Sequence, residues 1–125
     1  MLLKVCKLKT FKYLCQMNII SRNTIIYYTQ KYPIAKNQLL MWYNEVSKRD
    51  FDNFNELKEV YGNASLVNNQ RVVFNIKGND FRLVVSFNFR RKTCYSIWFG
   101  THKEYDKIDV ETIEFDTKIL NYKVK

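Results

Sequence analysis

The stretch GTHKEYDKI, residues 100 to 108, holds the only histidine of this 125-residue chain, with Tyr105 and Asp106 three and four positions beyond His102. On a helix, residues three and four apart share a face, so this spacing puts an imidazole, a phenol and a carboxylate side by side. Those are groups for proton transfer: neutral imidazole is a general base, and a phenol donates or orients a proton. Thr101 and Glu104 have the S/T-x-x-E spacing of a capping box. It predicts that a strand ends at Gly100 and a short helix starts at His102. The positive end of that helix favours the neutral ring, whereas Asp106 pulls towards the charged one.

The second feature is where the charge sits. The chain carries a net charge of +9, which favours a polyanionic partner. Residues 1–16 hold four lysines and no acid. The span 71–92 holds Arg71, Lys77, Arg82, Arg90, Arg91 and Lys92 against Asp80 alone, and the rest of the chain is neutral on balance. Phosphate binding is one reading of such a span. A basic sheet edge that guards against aggregation is the other.

Metals and disulfides find little support. Cys6, Cys15 and Cys94 are odd in number, have no C-x-x-C spacing and have one histidine to join them. Asp106 and Asp109 are three apart, but exposed helical carboxylates are common. No cofactor is indicated, and the cysteine pattern suits a reducing cytoplasm. With no run of about 18 apolar residues, a membrane-spanning helix is excluded on length.

The elements that must position these groups are legible in outline. Residues 1–16 interrupt their apolar residues with lysines, unlike a signal peptide, and read as a basic extension upstream of a start at Met17. Residues 17–125 read as one domain, and the whole chain's 46% hydrophobic residues are ample for one core. A short strand falls at Ile19 and Ile20, and Ser21 caps a helix running to about Lys31. After Pro33, the spacing of Ala35, Leu39, Trp42, Tyr43 and Val46 predicts a helix with one buried stripe. Asn53 caps a third, with Phe54, Leu57 and Tyr61 on one side and Gly62 as its stop.

The second half alternates. RVVFNIK, 71–77, buries Val72, Phe74 and Ile76; FRLVVSFNF, 81–89, buries Phe81, Leu83, Val85, Phe87 and Phe89. The opposite phase is mostly polar and presents Arg71, Asn75, Lys77 and Arg82 on a common surface. Gly78 and Asn79 make the hairpin turn, residues 90–92 turn the chain again, and TCYSIWF, 93–99, is a third strand that delivers His102 to the end of the sheet. The fold class is α+β, with a short N-terminal strand, two to three helices on an antiparallel sheet and a short C-terminal helix.

RVVFNIKGNDFRLVV followed by FGTHKEYDKI resembles the HigB family of bacterial toxin–antitoxin toxins, which belongs to the RelE-like mRNA interferases. MNIISRNTI, LLMWYNEV and NASLVNNQ share in the resemblance, which covers residues 17–113. At Ile97 many relatives are expected to carry a basic residue, so that one phosphate contact is either missing here or supplied by Arg90, Arg91 or Lys92. The resemblance implies a toxin that cleaves mRNA in the ribosomal decoding site and is held inactive by a HigA-like helix-turn-helix antitoxin. Metal-free RNA cleavage needs a base for the 2′-OH proton, cations for the phosphorane and an acid for the leaving oxygen. His102 is base or acid, and Tyr105 a proton donor or orienting hydroxyl. Lys77, Arg71 and Arg82 stabilise charge, and Asn75 and Asn79 place substrate. Asp106 and Lys107 are helix-surface or antitoxin contacts.

Each assignment has a structural alternative: Arg82 pairing with a carboxylate, Lys77 solvating a turn, Tyr105 packing beneath its helix. Two rival functions stand beside the nuclease. A ParE-like toxin acts by binding alone and needs no His–Tyr pair. An RNA- or ribosome-binding module predicts stacking aromatics on the basic face.

Overall fold

The computed structural model describes residues 17–20, 22–68 and 70–121. The basic extension 1–16, the expected cap at Ser21 and Asn69 of the NASLVNNQ segment lie outside the described residues. The elements run β1 (Asn18–Ile20), α1 (Arg22–Lys31), a 3-10 turn (Pro33–Ala35), α2 (Lys36–Ser47), α3 (Phe54–Val60), β2 (Ser65–Leu66), β3 (Arg71–Ile76), β4 (Phe81–Asn88), β5 (Thr93–Thr101), α4 (His102–Tyr105) and a closing 3-10 turn (Thr117–Asn121). The fold class is α+β, as the residue pattern predicts.

Local chemistry explains the helices. Asn53 accepts a hydrogen bond from Glu56 N–H and starts α3, while Ala35, Leu39, Trp42 and Val46 form the buried stripe of α2. They pack with Ile25 and Tyr28 of α1 and Leu57 of α3 on one face of the sheet, against Val72, Phe74, Leu83, Val85, Phe87 and Phe99. Met17, ahead of β1, is 2% exposed within this core, and its N–H donates to the Arg49 carbonyl at 2.9 Å.

The strand order is β1-β5-β4-β3-β2. The sheet is mixed, because β1 runs parallel to β5 at the edge while the other pairs are antiparallel. The two-residue β2 was too short to leave an alternating signal.

The opposite face departs from a simple polar phase. Val73, Val84 and Ile97 are buried there, with Val67, Trp98, Tyr105, Val110 and Ile113 packed around them. A bulge produces part of this cluster: Val85 pairs with Ser96 and Val84 with Trp98, so Ile97 is the extra residue on β5. The chain after α4 lays Val110 and Ile113 over this second cluster, then returns Phe115 and Ile119 to the main core.

Candidate active site

Strand β5 and its capping box carry His102 to the end of the sheet. Glu104 N–H donates to Thr101 Oγ1 at 3.1 Å, and Thr101 N–H donates to Glu104 Oε1 at 2.9 Å. Helix α4 therefore begins at His102, where the sequence puts it. The Tyr32 hydroxyl, after α1, donates to the same Glu104 oxygen at 2.9 Å. These hydrogen bonds, the Thr101 backbone N–H first, hold the Glu104 carboxyl below its ordinary value, while burial and the carboxylate push the Tyr32 phenol up. Tyr32 ties the end of α1 to α4 by a contact the sequence does not reveal, since its partner is 72 positions away.

The hairpin between β3 and β4 supplies the neighbours. Its left-handed residues are Lys77 (φ 55°) and Gly78 (φ 63°), one position earlier than the expected Gly78–Asn79 pair. Asp80 gives its backbone carbonyl to His102 N–H at 2.9 Å, which ties this turn to the start of α4. A cavity of about 590 Å³ lies between them, lined by His102, Asn79, Asp80, Ile34, Lys103 and Asp106 among others. His102 Nδ1 is closed off from water, with Asp106 Oδ2 3.3 Å away.

Arg82 connects the cavity to Tyr105. Its guanidinium donates to Asn79 Oδ1 at 2.7 Å, to the Asn79 carbonyl at 3.1 Å and to the Phe81 carbonyl at 3.2 Å. It also lies 6.0 Å from the centre of the Tyr105 ring. No carboxylate takes part in these contacts. Tyr105 packs against Trp98, with ring centres 6.1 Å apart. Burial raises the Tyr105 phenol pKa and Asp106 adds to the shift, while Arg82 opposes it. Asn75 is the cross-strand partner of Arg82, and Gly100 its partner on the other side. A side chain at Gly100 has no room, because a Cβ there meets Trp98 Cη2 at 2.6 Å.

His102, Tyr105, Lys77, Arg82, Asn75 and Asn79 thus share one end of the sheet. The other basic candidates do not. Arg82 and Asn88 are six residues apart on β4, roughly 20 Å at about 3.3 Å per residue, and Arg90, Arg91 and Lys92 lie beyond Asn88. Arg90 and Arg91 are exposed. Lys92, expected to contact RNA, is instead bound to the Asp50 carboxylate, to Asp52 Oδ1 at 2.6 Å and to the Phe51 carbonyl at 2.8 Å. Its ammonium fastens the turn to the loop between α2 and α3. Arg71 likewise donates to the Val110 carbonyl at 2.9 Å and holds the segment that covers the second cluster. Ile97 is 3% exposed in that cluster, and Arg90, Arg91 and Lys92 lie beyond the far end of β4.

Cys94 is buried, its thiol pushed up to about 12 by burial, which makes it a core residue rather than a nucleophile. Among the described residues no group of three or more His, Cys, Asp or Glu side chains gathers as a metal site, and no helix is long and apolar enough to cross a membrane.

Helices on one face of a five-stranded mixed sheet, with a short helix closing its end, make a RelE-like fold. Residues 35–108 match the family model of the HigB toxin, described as the RelE-like toxic component of a toxin–antitoxin system. The chain is 34% identical over 94 residues to the mRNA interferase toxin HigB of Escherichia coli K12, across 72% of this chain and 88% of that protein. The mRNA interferase HigB of E. coli O157:H7 matches to the same extent. That of E. coli O6:H1 strain CFT073 is 28% identical across 74% of this chain and 91% of its own length. The chain belongs to the HigB toxin family.

Proposed function

We propose that this chain is an endoribonuclease, an mRNA interferase that stops translation by cutting mRNA on the ribosome, and that a HigA-like helix-turn-helix antitoxin holds it inactive in the cytoplasm. The observation that carries this reading is the convergence of the imidazole and phenol of α4 with the Arg82 guanidinium of β4 on one end of the sheet. The names of the E. coli relatives support mRNA as the substrate.

RNA carries its own nucleophile. The 2′-OH attacks the adjacent phosphorus once a base takes its proton, and the 5′-oxygen leaves when an acid protonates it. His102 fills one of these roles and Tyr105 supplies or orients the other proton; its raised pKa keeps the phenol protonated, as a donor must be. Arg82 and Lys77 stabilise the extra negative charge of the phosphorane, so the chemistry runs on protein cations without a metal. Asn79 and Asn75 place the substrate beside Arg82. Arg71 contributes by holding the covering segment, and the exposed Arg90 and Arg91 attract RNA or ribosomal phosphates at the far end of the sheet.

The test is direct. Added to a translating extract, the chain is expected to create new 5′ ends inside coding regions, and co-expressed antitoxin to prevent them. Growth arrest with intact messages sinks this reading in favour of a binding toxin of the ParE kind.

A further inference from the structure

The two ring nitrogens of His102 meet different surroundings. Nδ1 is sealed from water, yet the side chain as a whole keeps 43% of its exposure, so the accessible nitrogen is Nε2. Asp106 Oδ2 stands 3.3 Å from Nδ1. The backbone brings it there, because Asp106 ends α4 and its N–H donates to the His102 carbonyl at 3.1 Å. The contact is long and not yet aligned as a hydrogen bond. Such contacts in ligand-free sites tighten when substrate arrives.

We propose that Asp106 is a positioning residue for His102: its carboxylate accepts from Nδ1–H, fixes that tautomer, and presents an unprotonated Nε2 to the cavity it shares with Ile34, Asn79 and Asp80. The consequence for RNA rests on the nuclease reading above; the tautomer does not. An imidazole free in water prefers its proton on Nε2, which puts a donor where a general base needs a lone pair. A carboxylate on Nδ1 reverses that preference and then stabilises the imidazolium. In the reaction the 2′-O–H bond breaks, the proton passes to Nε2, and the oxygen's electron pair forms the bond to phosphorus. The bond from phosphorus to the 5′-oxygen then breaks, and that oxygen takes its proton from Tyr105 or from the imidazolium.

The other charged groups lining this cavity are Asp80 and Lys103. Asp80 contributes its backbone carbonyl to His102 N–H, and its carboxylate faces Lys77 at 3.4 Å. Neither competes for Nδ1.

Because the chain has one histidine, its imidazole signals need no assignment. A long-range proton–nitrogen spectrum of the 15N-labelled full chain, recorded at a pH where the ring is neutral, is expected to show the Nδ1–H form. Asp106→Ala is expected to revert to Nε2–H and, in a translating extract, to lower the rate of mRNA cutting by on the order of 10-fold or more. Asp106 is 62% exposed, so the substitution spares the core, and an unchanged melting temperature confirms it. An Nε2–H form in the parent chain, or a tautomer and cutting rate unchanged in Asp106→Ala, overturns the proposal. An Nδ1–H form in a parent chain that cuts no mRNA supports the positioning and overturns the nuclease reading instead.

Discussion

The two hairpin ends of the sheet are alike in sequence and opposite in use. Each turn holds a lysine in the left-handed region, Lys77 at φ 55° and Lys92 at φ 56°. At the far turn the Lys92 ammonium sits between Asp50 and Asp52 with its side chain 19% exposed. At the near turn Lys77 has, among the described residues, only the loose contact to Asp80 at 3.4 Å, and Arg82 spends its hydrogen bonds on Asn79 and Phe81 carbonyl and amide oxygens, which leave its charge uncompensated by them. A basic span therefore does not mark a phosphate site by its count of cations. What marks it is whether carboxylates elsewhere in the fold have already taken them.

Substitutions at the two ends are expected to separate activity from stability. Apart from His102 itself, the largest effect belongs to Arg82→Ala, which removes a preorganised cation from the proposed phosphorane site and is expected to slow mRNA cutting by about 10²–10³. Unfolding losses stay within about 3 kcal/mol, roughly 1 kcal/mol for each of the three hydrogen bonds removed. Cutting at the parental rate breaks the comparison at its active end.

Next is a matched pair, Lys92→Gly and Lys77→Gly. Both relieve the roughly 1–2 kcal/mol that a left-handed non-glycine residue costs, part of which glycine returns as chain entropy. Lys92→Gly also leaves two partly buried carboxylates without their cation, so a net loss on the order of 2 kcal/mol is expected in denaturant unfolding. Lys77→Gly is expected to keep the parental stability within about 1 kcal/mol while weakening RNA binding. Equal stability changes in the two variants erase the distinction.

Gly100→Ala drives a methyl into the Trp98 ring. Overpacking of this kind costs roughly 1–3 kcal/mol, and the displaced Trp98 disturbs Tyr105, so cutting is expected to fall along with the melting temperature. The smallest effect is expected from a chain starting at Met17. Residue 17 is already inside the core, and a shift of about 4 °C or more in melting temperature, roughly 1 kcal/mol, argues instead that the basic extension belongs to the fold.

Much of this was legible because it is local. The capping box needs only Thr101 and Glu104, the α2 stripe only its own spacing, and the inward phase of β3 and β4 only alternation. The second cluster was hidden because Val73 and Val84 interrupt a phase that otherwise reads polar, and because no pattern announces the bulge that turns both Ile97 and Trp98 to the outer face. The partners of Lys92 and Arg71 were hidden for another reason: Asp52 and the Val110 carbonyl lie 40 and 39 positions away. Charge is visible in a sequence, but its compensation is a tertiary fact. The parallel pairing of β1 with β5 is hidden in the same way, since three residues carry too little pattern to choose a neighbour.

The central claim is that the near end of the sheet does chemistry through His102. Primer extension on mRNA from a translating extract tests it, comparing the parent chain with His102→Ala after confirming that both fold and both bind antitoxin. New 5′ ends are expected with the parent, and a loss of about 10²–10⁴ in their rate of appearance with His102→Ala, the range general acid–base catalysis spans. Cutting by His102→Ala at the parental rate contradicts it, and makes His102 a structural residue at the start of α4.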